Sequence, residues 1–178
     1  MDTKTENSVV LSDSKLSDFL VDQLNEIYHS EKKLAEAWPG VQNAACNERL
    51  KNHFQDYYLQ LQQEIVRLGD IFSIMNIPPG DRSLPVIEGL LAETNTIISK
   101  TTEGSHTRDA AIIVAVQKIV HYKIATYGSL QQLATTLGME EISTLLRQSS
   151  QNEKENDLRL SVIADKQINW LAEIEPKE

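Results

Sequence analysis

Ile113–Ala134 reads IVAVQKIVHYKIATYGSLQQLA, and its apolar residues recur at alternating steps of three and four. Ile113, Val116, Val120, Tyr127, Leu130 and Ala134 therefore share one face of an α-helix, and Lys123 stands among them on that face. A lysine there must be solvated, paired with an acid or costly, because an isolated buried ammonium is strongly disfavoured. Two other stretches carry the matching anomaly with opposite sign. Leu20, Leu24, Ile27, Leu34 and Trp38 form a stripe interrupted by Glu31, and Ile142, Leu146, Ser149, Leu160 and Ile163 form one interrupted by Glu153. Three mid-helix charges facing inward predict one polar site inside a helix bundle.

Outward from these stripes, punctuation residues divide the chain. Residues 1–13 are polar and aperiodic and read as a flexible arm. Ser14 is placed to cap the first helix, and Pro39-Gly40 is expected to break or sharply kink it before a further turn over residues 41–46. A second helix from about Asn47 carries Phe54, Tyr57, Leu61, Ile65, Leu68 and Phe72, and ends before Pro78-Pro79-Gly80. Ser83 is expected to cap a shorter helix over residues 86–100, with Pro85 in its first turn. Thr107 or Asp109 begins the fourth helix, which stops at Gly138, a residue suited to a helix C-terminus. The fifth runs from Met139 to near Leu171. The bundle thus spans residues 14–172, followed by an acidic tail over 173–178.

No segment alternates with period two, so the chain reads as all-α. Four long helices can close a bundle, and the short one falls in the long connection between the second and the fourth. A long crossover between two helical hairpins is the connectivity of a ferritin-like four-helix bundle.

A chain of 178 residues with 40% hydrophobic and 24% charged residues suits one globular domain. Its net charge of −9 argues against nucleic acid and against an anionic membrane surface. No apolar run approaches the roughly 20 residues needed to span a bilayer, and the polar start, Met1 to Glu6, does not read as a secretory signal. A lone Cys46 excludes an intrachain disulfide and suits a reducing compartment, so a cytoplasmic location is expected. There is no phosphate-binding glycine loop and no Ser/His/Asp signature.

Between Leu16 and Ala164 the chain resembles the YciF-type ferritin-like family, bacterial stress-associated bundles. The resemblance is carried by residues 28–34 (YHSEKKL), 88–91 (EGLL), 108–111 (RDAA), 121–128 (HYKIATYG), by Leu145-Leu146, and by Glu153-Lys154 with Asp157. It implies a bundle with acids on four helices facing a di-metal centre. Glu31, Glu153 and Asp157 match the family's acids. Gln60 stands in the acid slot of the second helix, and Val120 and Lys123 replace both acids of the fourth. Glu64, one turn beyond Gln60, is a candidate substitute.

The expectation is therefore a decayed di-metal site. Lys123 replaces the lost metal as an internal cation within reach of Glu31, Glu153 or Asp157, with Gln60 nearby. Against this stands a lysine that packs its stem and snorkels outward. Glu31, Glu153 and Asp157 read first as a cluster that sets helix register and second as residual metal ligands. No cofactor is expected, with iron or manganese as the alternative. Glu26 and His29 form a Glu-x-x-His spacing that is weak evidence alone. His121 reads as a partner of a neighbouring helix, Tyr57, Tyr58, Tyr122 and Tyr127 as core or interface, and Cys46 as a small filler. The expected function is a non-catalytic stress-associated or accessory role exercised through a homodimer or a protein partner. One rival is a metal-binding oxidase or peroxide-handling protein using Glu31, Glu64, Glu153, Asp157 and a histidine. A second is an immunity-type binding module whose acidic surface meets a basic target.

Overall fold

The computed structural model describes residues 13–176, so the expectation for the arm over residues 1–12 lies outside the described residues. Helix α1 runs Lys15–Ala44, α2 Glu48–Ile74, α3 Pro85–Lys100, α4 His106–Thr136 and α5 Glu140–Ile163. A π-helical turn, Ala164–Ile168, carries α5 into the short α6, Asn169–Glu173. Among the described residues there is no strand. Helix α1 packs on α2 and α4, and α5 packs on the same two helices. Short connections make α1–α2 and α4–α5 hairpins, while α2 reaches α4, its diagonal neighbour, through a long crossover containing α3. Helix α3 lies on α4 and α1. The architecture is a ferritin-like four-helix bundle.

Helix ends follow local chemistry. Ser14 accepts from the Ser17 amide, and Asn47 accepts from the amides of Arg49 and Leu50. At the end of α4, Gly138 adopts φ 72°, its amide bonding the Thr135 carbonyl and the Met139 amide that of Ala134. This paired pattern is the Schellman motif. Asn76, at φ 54°, closes α2 in the same way.

Three expected boundaries are corrected. Helix α1 does not break at Pro39 but continues to Ala44. Pro39 is exposed, whereas Trp38 and Val41 beside it are buried and the Trp38 indole donates to the Phe54 carbonyl at 2.8 Å. Packing against α2 holds the segment helical despite the missing amide. Ser83 does not cap α3: Pro85 opens the helix, so Leu84 takes the cap position without a side-chain bond. Helix α4 starts at His106, before Thr107 or Asp109, because Ser105 accepts from the Arg108 amide. Glu175 reinforces that start, accepting from the amides of His106 and Thr107.

The stripes of α1 and α4 are buried as the periodicity predicts. That of α5 is buried as well, and that of α2 shifts at one position. In α2 Glu64 is fully buried and Ile65 only half-buried; in α5 Asn156, not Asp157, fills the inward slot between Glu153 and Leu160. The apolar core divides into two clusters. One surrounds Trp38, Phe54, Val120 and Leu160, the other Leu24, Phe72, Tyr127 and Leu146. Glu31, Glu64, Lys123 and Glu153, all buried, lie on the same helices between these clusters.

A buried charge layer as the candidate functional site

Each bundle helix contributes to a polar layer at its midpoint: Glu31 from α1, Tyr57 and Glu64 from α2, Lys123 and Tyr127 from α4, and Ser149 and Glu153 from α5. The Lys123 Nζ lies 3.1 Å from Glu31 Oε1 and 2.8 Å from Glu153 Oε1, with all three side chains essentially removed from solvent. Lys123 also donates to the Tyr57 hydroxyl at 3.1 Å. Tyr57 in turn donates to Glu153 Oε2 at 2.9 Å, and Tyr127 donates to Glu31 Oε1 at 2.6 Å. Glu64 forms a separate, adjoining group. It pairs with Arg67 at 2.5 Å and accepts from Ser149 at 2.5 Å and Asn152 at 3.0 Å. Among the described residues, Glu31 Oε2 and Gln60 Nε2 have no hydrogen-bond partner, and Glu153 Oε1 meets the ammonium without a well-directed hydrogen bond.

Burial and charge pull against each other throughout this layer. Burial disfavours the ammonium of Lys123, but Glu153 and Glu31 outweigh it and hold the lysine well above its usual range. Burial also raises Glu31, to about 7, with Lys123 opposing and Glu153 adding to the rise. Glu153 is raised by burial against the pull of Lys123. Glu64 behaves oppositely: burial raises it, yet bonds from Arg67 and Ser149 more than compensate, and its carboxyl lies below the usual value. Tyr57 and Tyr127 are pushed well above the usual tyrosine range by burial and neighbouring carboxylates, so both remain hydrogen donors. Three acids face two bases, leaving one excess negative charge, and Glu31 is the group poised to take up a proton.

The remaining predicted residues sit elsewhere. Asp157 lies outside the Lys123 cluster, where it accepts from Gln117 at 3.0 Å and faces His121 at 3.3 Å. It stands one position off the inward face, which passes through Glu153, Asn156 and Leu160. The Gln60 side-chain carbonyl accepts from Asn156 at 2.8 Å and does not contact Lys123 through any hydrogen bond or ion pair described. Glu26 and His29 do not converge on a common ligand position: His29 donates to the Gly80 carbonyl at 2.8 Å, while Glu26 accepts from Gln23 and Tyr122.

Cys46 is more than a filler. Its thiol donates to Asp109 Oδ2 at 3.0 Å and lies 3.9 Å from His106 Nδ1. Among the described residues, Cys46, His106 and Asp109 form the one group of three potential metal ligands whose donor atoms fall within 4.8 Å of each other. Burial, the hydrogen bond to Asp109 and that carboxylate's charge push the thiol up to about 11, so it is no nucleophile. The His106/Asp109 spacing is visible in the sequence; Cys46 joins it only through packing of the α1–α2 junction on α4.

This fold and its four-helix layer define a ferritin-like bundle protein. The chain belongs to the YciF-type family: the family model described as Domain of unknown function (DUF892) matches residues 15–173. It is 33% identical over 159 residues to Protein YciF of Escherichia coli strain K12, covering 89% of this chain and 95% of that one. The crystal structure of the E. coli stress protein YciF superposes with a TM-score of 0.82 at 32% identity, over 88% of this chain and 98% of that one. YcfI of Rhodopseudomonas palustris matches with a TM-score of 0.81 at 28% identity, over 85% and 96% of the two chains.

Proposed function

We propose that this protein is a non-catalytic, stress-associated or accessory bundle whose centre holds a fixed ion layer in place of a dinuclear metal centre. It acts by associating with itself or with a protein partner. One observation carries the reading: the Lys123 ammonium sits at 3.1 and 2.8 Å from the two carboxylates that would be inner ligands, Glu31 and Glu153. A dinuclear centre needs several carboxylates, often with a histidine, to offset its charge. Here Lys123 neutralises one acid, Arg67 engages Glu64, Gln60 is uncharged, and Asp157 with His121 faces away from Lys123. A divalent metal ion in the layer would also meet Lys123 as a like charge, costing roughly 8 kcal/mol at about 4 Å and an effective dielectric near 20. The residues present do not fit the group.

The description of the E. coli relative as a stress protein supports the stress-associated role. No helix of the described residues is long and apolar enough to cross a membrane, and a cytoplasmic setting keeps Cys46 reduced. Elemental analysis of protein produced with iron and manganese supplied tests the proposal. Far less than one equivalent of either metal is expected. Stoichiometric iron or manganese that is lost in Glu31→Gln would overturn it and favour the oxidase reading.

A further inference from the structure

At one end of the bundle, roughly four helical turns along α4 from Lys123, three donors of different chemistry converge. Cys46 comes from the α1–α2 connection, and His106 and Asp109 come from the first turn of α4. Their donor atoms are separated by 3.0 Å (Sγ to Oδ2), 3.9 Å (Sγ to Nδ1) and 3.6 Å (Nδ1 to Oδ2). Ligands of a tetrahedral zinc, bonded at roughly 2.0–2.3 Å, lie about 3.3–3.6 Å apart. The three edges scatter around that spacing, and rotations of the Cys46 and His106 side chains can close the difference.

We propose that Cys46, His106 and Asp109 form a mononuclear site for a borderline divalent cation, Zn²⁺ by its donor set, with the fourth position open to solvent. One sulfur, one imidazole nitrogen and one carboxylate oxygen favour zinc or cobalt over the harder manganese or magnesium. On binding, the thiol proton leaves to bulk water and the sulfur ligates as thiolate. Asp109 Oδ2, released from the S–H, turns that lone pair to the metal while it still accepts from the Asn47 amide at 2.9 Å. Asp109 Oδ1 keeps its 2.8 Å bond from the Cys46 amide, which orients the carboxylate. His106 ligates through Nδ1 and retains its proton on Nε2.

Two further features suit a cation here. The His106 side chain is 32% exposed, which leaves an approach from solvent, whereas Asp109 is fully buried and fixed. Glu175 brings a second carboxylate against the His106 backbone, and its charge adds to that of Asp109 against Lys51 and the positive end of α4. The bound ion would staple the α1–α2 junction to the start of α4.

The test uses the full chain, stripped with a chelator and kept reduced, and titrated with Co²⁺. A thiolate-to-cobalt charge-transfer band should rise to one equivalent and be bleached by Zn²⁺. Cys46→Ser, which keeps a hydroxyl able to donate to Asp109, should fold and lose the band. His106→Gln should lose or strongly weaken it, and Glu31→Gln should leave it unchanged. The proposal is overturned if natively folded protein gives no band at about hundredfold excess Co²⁺, or if the band persists unaltered in His106→Gln.

Discussion

One ammonium shared by two carboxylates governs the energetics at the residue scale. Removing one partner of a buried pair typically costs about 3–5 kcal/mol, so Lys123→Met should destabilise the fold by that order at neutral pH. The loss should shrink as pH falls, because protonation then relieves the two stranded acids; urea midpoints at pH 8 and pH 5 check both points. The titration of Glu31 gives a second outcome. Its folded pKa, about 7, lies above the ordinary 4.5, so the folded state binds the proton more tightly than the unfolded chain. That stabilising contribution is lost as pH rises from 4.5 through 7. Glu31→Gln should therefore gain stability relative to the unaltered protein as pH rises across this window. A difference that stays flat or reverses would show that Glu31 does not carry the proton. The anomaly at Lys123 was legible in the sequence because a charge stands out on an apolar stripe. The burial of Glu64 in place of Ile65 was not, nor the position of Asp157 outside the Lys123 cluster, since residues three and four positions on lie almost equally on one face and only packing chooses between them. The group of Cys46, His106 and Asp109 was hidden for a different reason: His106 and Asp109 stand one helical turn apart, but Cys46 lies 60 residues from His106 and joins them only through packing.

Among the elements, the ends of helices divide into those fixed by local chemistry and those fixed by packing. Gly138 was readable because only a left-handed residue closes a Schellman motif well, and its φ of 72° is strained for any side chain. Gly138→Ala should cost about 1–2 kcal/mol, seen as a lower melting temperature with unchanged helicity. Pro39 was misleading because the cost of a proline in a helix is finite and tertiary contacts can exceed it. Trp38, buried and bonded to the Phe54 carbonyl, supplies such contacts. Pro39 itself faces solvent, so Pro39→Ala should fit without a clash and restore the amide that can bond the Ala35 carbonyl. A gain of about 1–2 kcal/mol is expected, the helix propensity difference being partly offset by the freer unfolded chain. Calorimetry that recorded a loss would mean the proline is required rather than tolerated. The start of α4 shows a third case, in which Glu175, distant in sequence, caps a helix that Ser105 also caps; no local window contains that signal.

For the whole molecule, the bundle order places α4 against α1, α3, α5 and α6. That explains why Ile112 and Ile119, off the Ile113 stripe, are as buried as the stripe itself. Against that covered helix, the α2–α5 face is left open. Leu59 and Val66 on α2 and Leu158 and Val162 on α5 are exposed. A groove of about 390 Å³ is lined by His53 and Asp56 of α2 and by Leu158, Arg159 and Val162 of α5. A two-fold axis brings one patch against its own copy, so residue i meets j and j meets i. Asp56 and Arg159, of opposite sign at the groove, are a pair such an axis can join across the interface, around an apolar centre. A homodimer through this face is therefore expected. Light scattering should give about twice the chain mass of 20.1 kDa at micromolar concentration. Leu158→Lys combined with Val162→Lys should return the protein to the mass of one chain while its circular dichroism stays unchanged, because both side chains are exposed in the single chain. A single species at 20.1 kDa before any substitution, across the micromolar range, would remove self-association from the proposed function and leave partner binding as its route.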